Sequence, residues 1–300
     1  MDDAFCELLQ PYDVNLATSL DGPEEINDHQ RGAGYFERCM AGIHTARRHG
    51  LSVGVICTFT PLSAPFYRQV FDFFAAEGLS FSVHAAVCAL GSSPGEMTLP
   101  PDEAARLMVD LFDYYLENSN LIRISTFDRM ARGLATQNGA ICTFGDCLGK
   151  YLTIAPWGEI FSCSRFAHHP QWQLGSVFDC PDVDRLARSQ AWQKLRQREL
   201  SVLQACGGCT HFEYCKGGCP YNAITGGGQR DPQCAVYRQL FDHITSRALD
   251  GIFSDENQEE VIEHASGRTG LMRKGRLIQV MKGGTHPQEA ARETKAAEKL

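Results

Sequence analysis

The sequence lacks long apolar runs and has no excess of positive charge. No stretch approaches the roughly 18 apolar residues of a membrane-spanning helix. The formal net charge of −8 disfavours nucleic acid or an anionic membrane as a partner. The first residues, MDDAFCELLQPYD, have neither the basic nor the apolar segment of an export signal. We therefore expect a cytoplasmic protein with no membrane and no nucleic-acid partner.

Cysteine, in contrast, is abundant: the 300-residue chain contains 13. A chain of this length is too large for a small disulfide scaffold, and a reducing cytoplasm disfavours disulfides. The stretch from Cys206 to Cys234 reads CGGCTHFEYCKGGCPYNAITGGGQRDPQC, with a CxxC followed by a CxxxC. Packing of a protein core does not require thiols at such close and uneven spacing. A metal centre does, because several soft thiolates must converge on it.

Three upstream cysteines complete a set of eight candidate ligands, which is two groups of four. The eight are Cys142, Cys147, Cys163, Cys206, Cys209, Cys215, Cys219 and Cys234. Two four-thiolate zinc sites are one interpretation, since CxxC pairs also build tetrahedral zinc sites. Zinc ribbons, however, usually pair two CxxC turns, and only Cys206 and Cys209 form one here. The spacing favours iron–sulfur clusters and leaves zinc as the alternative.

The chain before residue 140 alternates strands and helices, which predicts an α/β fold with parallel strands and crossover helices. Strands are predicted over 14–20, 51–59 and 79–87, and helices over 2–10, 35–49, 65–77 and 101–118. Polar residues 24–29 and the loop 31–34 separate the first strand from the second helix. We expect three regions: 1–139 as the α/β part, 140–250 as a small cysteine-rich α+β domain, and 251–300 as a polar tail.

The cysteine-rich region resembles a known domain. The segment CTFGDCLGKYLTIAPWGEIFSCSRF, the later LGSV and the 206–234 stretch resemble the SPASM domain that ends many radical S-adenosylmethionine (SAM) enzymes. The upstream TSLDGPEEINDHQRGAGYFERCMAGI is similar to the middle of the same family's barrel. The resemblance covers about residues 1–245.

The resemblance implies an open, partial (β/α) barrel, of which this chain has the later units, and two auxiliary [4Fe–4S] clusters. Cluster I would be held by Cys142, Cys147, Cys163 and Cys219, and cluster II by Cys206, Cys209, Cys215 and Cys234. In an intact relative, SAM and a third [4Fe–4S] cluster generate a radical that modifies a peptide or protein substrate, with ferredoxin or flavodoxin as the reductant.

One family motif is missing from the sequence. The CxxxCxxC that binds the SAM cluster does not occur at any cysteine of this chain. The chain begins just before what resembles the family's fourth strand, which predicts that the first three strand–helix units are absent. A non-catalytic iron–sulfur electron carrier or peptide-binding partner is therefore the alternative function.

The resemblance also places Ser19, Asp21 and Arg31 on the SAM or substrate side of the barrel. The alternative is that Asp21 belongs to a turn and that Asp28 and Arg31 form a local ion pair. In sulfatase-maturing relatives, an Asp that accepts a proton follows the third cysteine of the pattern. Here that residue is Ser164, a poor base, which favours enzymes that modify ribosomally made peptides.

The remaining five cysteines do not belong to the ligand pattern. They are Cys6, Cys39, Cys57, Cys88 and Cys180. We expect the first four to be small buried hydrophobic residues in helices and strands, and Cys180 to have no partner.

Overall fold

The computed structural model describes residues 1–12, 14–137, 141–145, 147–179 and 182–253. These residues form two compact units. The first contains Met1–Val87, Pro94–Ala135 and the described chain from Gln239 onward, and the second contains Cys88–Ser93 and Thr136–Arg238. The predicted tail over 251–300 lies outside the described residues, except for the last three residues of a helix.

The first unit is built on a parallel sheet. Its strands are β1 (Leu16–Ser19), β2 (Val53–Phe59) and β3 (Phe81–Ala85), in the order β1-β2-β3. Leu16 pairs with Val53 and Val55 with Phe81, which sets the register. Its helices in chain order are α1 (Asp3–Leu9), α2 (Glu24–Arg31), α3 (Tyr35–Arg48), α4 (Tyr67–Ala76), α5 (Pro101–Glu117) and α6 (Ser125–Thr136). The predicted alternation and parallel pairing are confirmed.

Local sequence signals explain several of these elements. Asp2 caps α1 by accepting a hydrogen bond from the backbone nitrogen of Phe5 at 2.9 Å. Pro101 occupies the first turn of α5, where a missing N–H costs nothing. The core is aromatic: the rings of Phe74 and Phe81 lie 4.6 Å apart, so α4 packs on β3.

Two helices of the first unit were not predicted. Helix α2 covers residues 24–31, where the sequence indicated a polar stretch over 24–29 and a loop over 31–34, so Arg31 ends a helix and does not begin a loop. Helix α6 follows a one-residue parallel bridge between Ile124 and Phe81 at the edge of the sheet. Its buried Phe127, Met130 and Leu134 repeat at helical spacing, a signal that was available in the sequence.

The second unit contains a small antiparallel sheet and short helices. Strands β4 (Thr153–Ile154), β5 (Glu159–Phe161) and β6 (Gly175–Ser176) pair antiparallel in the order β4-β5-β6. The helices are α7 (Val183–Ala187), α8 (Gln190–Ala205), α9 (Phe212–Cys215), α10 (Pro220–Thr225) and α11 (Cys234–Phe253). Ser189 caps α8, since its hydroxyl accepts a hydrogen bond from the backbone nitrogen of Trp192 at 3.2 Å.

The unit boundaries differ from the predicted 1–139 and 140–250 in two places. Residues 88–93 belong to the second unit, because the Leu90 amide donates to the Tyr221 hydroxyl at 2.8 Å and its side chain packs in the same core cluster. The end of α11 belongs to the first unit, where His243 Nε2 lies 2.8 Å from an Asp113 carboxylate oxygen. Throughout the described chain, each helix is too short or too polar to cross a bilayer.

Candidate functional site

The eight candidate ligands all lie in the second unit, in loops or next to the ends of helices and strands. Cys142 begins a turn of 3₁₀ helix, and Cys163 follows β5. In the later stretch, Cys206 ends α8, Cys215 ends α9 and Cys219 precedes α10. Loop positions of this kind let thiols from distant parts of the chain approach one region.

Four of the thiols influence one another electrostatically. The hydrogen bond between Cys142 and Cys147 lowers the pKa of Cys142 to about 6 and raises the pKa of Cys147 above its usual range. Burial and the nearby charges of Cys142, Cys163 and Cys219 raise the pKa of Cys147 further. These four residues are the set that the resemblance assigns to the first cluster.

The other four thiols form a second group. Burial raises the pKa of Cys206, and the charges of Cys234 and Cys209 add to the effect. Burial likewise raises the pKa of Cys215 to about 12, together with the charges of Cys234 and Cys206. Cys206, Cys209, Cys215 and Cys234 are the set assigned to the second cluster.

The donor set suits iron–sulfur clusters. Burial and mutual repulsion disfavour several thiolates in one place, and a cationic centre would offset both effects. Four thiolates per group is the ligand number of a [4Fe–4S] cluster. In the described ranges, no three His, Cys, Asp or Glu side chains are close enough to hold a single metal ion.

Asp231 braces the loop between Cys215 and Cys234. Its carboxylate accepts hydrogen bonds from the backbone nitrogen of Cys219 at 3.0 Å and from Asn222 Nδ2 at 2.9 Å. The hydroxyl of Tyr237 donates to the same oxygen at 3.2 Å. Burial raises the pKa of Asp231 despite these donors.

Arg198 of α8 supports the same loop from the other side. Its Nη2 donates to the carbonyl oxygens of Gly217 at 2.8 Å and Gly218 at 3.2 Å, and its Nε donates to that of Gln229 at 2.9 Å. Arg198 could not be identified from the sequence, because nothing in its local sequence separates it from the exposed Arg196 of the same helix. Both glycines have positive φ, +79° and +74°, which favours glycine at these turns.

The polar loop after Cys163 is partly exposed. Ser164 and His168 are exposed, and His169 is half-buried. The arrangement agrees with a solvated loop.

A buried polar network lies at the carboxyl end of the parallel sheet in the first unit. Asp21 follows β1 and is 1% exposed. Arg31 Nη2 donates to its Oδ1 at 2.9 Å, and Arg31 Nε lies 2.6 Å from its Oδ2. Gln30 Nε2 and the backbone nitrogen of Thr58 also donate to the Asp21 carboxylate, each at 2.9 Å. Asp21 and Arg31 are thus brought together as one ion pair.

The network extends to residues that sequence reasoning missed. The hydroxyl of Thr60 donates to Gln30 Oε1 at 2.7 Å, and Ser63 Oγ accepts from the Thr60 amide at 2.9 Å. Thr60 and Ser63 are both buried. Neither residue could be recognised from the sequence as part of a buried network, because a Thr and a Ser after a strand are common turn residues.

Ser19 and Asp28 lie next to this network in different roles. Ser19 ends β1 and is half-buried, and its carbonyl lies 3.7 Å from the thiol of Cys39. Asp28 does not pair with Arg31. Its carboxylate instead accepts from the backbone nitrogens of Gly34 and Phe36, so it caps α3.

The cysteines outside the two groups have different environments. Cys6 and Cys57 are fully buried, as predicted, whereas Cys39 and Cys88 are half-buried. Cys88 Sγ lies 2.9 Å from the carbonyl oxygen of Ser92. Cys180 lies outside the described residues.

Comparison with known proteins finds similarity to maturation enzymes. No family model matches it. It is 41% identical over 140 residues to an uncharacterized protein of Methanothermobacter thermautotrophicus, covering 46% of this chain and 53% of the relative. It is 21% identical over 270 residues to a serine-type anaerobic sulfatase-maturating enzyme of Bacteroides thetaiotaomicron, covering 81% of this chain and 65% of that enzyme. It is also 27% identical over 217 residues to the mycofactocin maturase MftC of Mycobacterium tuberculosis, covering 69% of this chain and 52% of MftC.

Solved structures show the fold more completely. The structure of anSMEcpe with bound AdoMet and the Cp18Cys peptide matches with a TM-score of 0.73 at 19% identity, over 83% of this chain and 73% of that one. The structure of Streptococcus suis SuiB bound to the precursor peptide SuiA matches with a TM-score of 0.52 at 18% identity, over 78% of this chain and 56% of SuiB. The predicted α/β class is confirmed at this level.

The chain spans 53% and 65% of the length of the first two relatives. Over the part that it shares with them, the chain has the fold of anSMEcpe and is similar in sequence to anaerobic sulfatase-maturating enzymes and to mycofactocin maturase.

Proposed function

We propose that this protein is part of a radical SAM/SPASM enzyme that modifies a peptide or protein and carries two auxiliary [4Fe–4S] clusters. The observation that supports the proposal most is that all eight candidate cysteine ligands, which come from separate segments of the chain, lie in the second unit. The fold shared with anSMEcpe supports the same reaction class.

The residues of each set have defined tasks in this proposal. Cys142, Cys147, Cys163 and Cys219 would hold the first cluster. Cys206, Cys209, Cys215 and Cys234 would hold the second. When bound, such clusters supply one-electron transfer and a fixed inorganic centre near the substrate. Asp231 and Arg198 hold the ligand loop in shape through the backbone hydrogen bonds described above.

On the other unit, Ser19, Asp21 and Arg31 remain the proposed residues of the SAM or substrate side. They lie where parallel strands end, which is where α/β folds commonly bind ligands. The carboxylate of Asp21 is already occupied by Arg31, Gln30 and Thr58. We therefore assign Asp21 the task of orienting Arg31, and Ser19 the more direct approach to a ligand.

A peptide or protein is the proposed substrate, with ferredoxin or flavodoxin as the reductant. The support is that anSMEcpe and SuiB have been solved with peptides bound. The relatives that carry names are enzymes, which favours a catalytic role over a non-catalytic carrier. The exposed Ser164 in place of an acidic residue favours a modified ribosomal peptide over a sulfatase.

Anaerobic reconstitution of the full chain tests the proposal. We expect about eight irons and about eight sulfides per chain, with broad absorbance near 400 nm and no zinc. About two zinc ions per chain and no iron would overturn it in favour of structural zinc sites. An assay with SAM, dithionite and candidate peptides then measures 5′-deoxyadenosine. Because the sequence has no CxxxCxxC for the SAM cluster, we expect none, and release well above background would show a SAM-cluster site at other residues.

A further inference from the structure

Arg165 is a cation fixed beside the sulfur of a proposed cluster ligand. Its Nη1 lies 3.7 Å from Cys219 Sγ, within hydrogen-bonding distance for sulfur. Arg165 therefore directly contacts one of the four thiols of the first set.

Two neighbours, Asn222 and Tyr221, determine where the guanidinium of Arg165 lies. The same Nη1 donates to Asn222 Oδ1 at 2.7 Å. The guanidinium carbon lies over the ring of Tyr221, 3.9 Å from its centroid, which is close cation–π stacking. The Tyr221 hydroxyl in turn accepts from the Leu90 amide at 2.8 Å, so the ring is also held in place.

Asp231 fixes the orientation of Asn222. The amide Nδ2 of Asn222 donates to Asp231 Oδ2 at 2.9 Å, which leaves its oxygen directed toward Arg165. Asp231 also accepts from the Cys219 amide at 3.0 Å. A continuous chain of contacts thus joins Asp231, Asn222, Arg165 and the sulfur of Cys219.

We propose that Arg165 raises the reduction potential of the cluster held by Cys142, Cys147, Cys163 and Cys219, and that Asn222 and Asp231 position it for this purpose. The inference rests on the proposed function, since it requires that cluster. Hydrogen bonds to ligand sulfur and nearby charge are among the main determinants of such potentials.

The direction of the effect follows from the charge balance. A one-electron donor such as dithionite adds one electron to the cluster, no bond forms or breaks, and the net charge of the cluster becomes more negative by one. A fixed guanidinium stabilises the more negative state. Its removal must therefore make reduction less favourable.

Redox titration of the reconstituted full chain, followed by electron paramagnetic resonance, tests the proposal. In Arg165→Gln we expect the reduction potential of one of the two clusters to fall. The expected decrease is about tenfold in the equilibrium constant for reduction, which is about 59 mV for one electron. The second potential is the internal control. Arg188→Gln, an exposed arginine of the same unit, makes the same charge change and should move neither potential.

Two results would overturn the proposal: both potentials of Arg165→Gln unchanged with iron content retained, or the affected potential rising. If Arg165→Gln loses about four irons, Arg165→Lys replaces it in the titration. The lysine keeps the charge without the planar fork, so the same potential should fall by less, and an unchanged potential would then reject the inference. A wild-type chain without two clusters would contradict the proposed function instead.

Discussion

The turn at Gly218 offers a prediction whose size follows from the structure. Gly218 has a φ of +74°, and a Cβ added there would lie 2.4 Å from Asp231 Cβ and 3.0 Å from Asp231 Oδ2. Asp231 Cβ lies next to the backbone, so it cannot move aside as the end of a flexible side chain would. Moving it also disturbs the hydrogen bonds to Cys219 and Asn222.

The expected cost of Gly218→Ala has two parts. A left-handed backbone costs an alanine about 1–2 kcal/mol. Overlap in a packed interior adds about 1–3 kcal/mol. Gly227→Ala is the matched control, because Gly227 has a φ of +68° and an added Cβ meets nothing within 4 Å. The difference between the two variants isolates the overlap with Asp231.

Thermal unfolding of the anaerobic protein, followed by circular dichroism, measures this difference. One kcal/mol corresponds to about 2–4 °C in a domain of 150–250 residues. Gly218→Ala should therefore unfold at least about 2 °C below Gly227→Ala, and it should retain less iron. Equal unfolding temperatures and equal iron content would refute the claim that Asp231 braces this turn.

Three further substitutions test the first unit. Asp21→Asn leaves Arg31 without its ion partner and should cost about 3 kcal/mol of stability in denaturant unfolding. This is the lower end for a broken buried pair, because the Arg31 side chain is 24% exposed. A loss below about 1 kcal/mol would contradict the network. Asp28→Ala removes the cap of α3 and should cost about 0.5–2 kcal/mol, and an unchanged midpoint would argue against capping. Asp113→Ala removes two partly exposed pairs, with His243 and with Arg247, and should cost less than about 1 kcal/mol for each pair; a larger loss in denaturant unfolding would contradict the low value expected of partly exposed pairs.

Much of the α/β unit could be predicted from the sequence, because its strands are apolar and helices α3 and α4 are followed by Gly50 and Gly78. Helix α2 could not be predicted from an apolar stripe, because its polar side chains form the Asp21 network instead. Asn27, Gln30 and Arg31 all contact Asp21. Helix α6 could have been found from its apolar spacing. The partner of Arg31 could not, because Asp21 and Asp28 are both close in sequence and only the backbone path selects between them.

The candidate ligands could be named from spacing, but their grouping could not. The resemblance assigns Cys219 and Cys215, which are close in sequence, to different clusters. This division into two sets comes from the resemblance and stays a prediction. The contacts that Arg198, Asn222 and Arg165 make depend on tertiary folding, so they cannot be predicted from a local sequence pattern.

Iron analysis of two matched triple variants tests the central claim most directly. One variant replaces Cys142, Cys147 and Cys163 with alanine, and the other replaces Cys206, Cys209 and Cys215. Each should retain about four of eight irons after anaerobic reconstitution, with one paramagnetic signal lost in the first and the other lost in the second. Loss of all iron in both variants, or an unchanged iron content in either, would contradict two separate four-cysteine clusters.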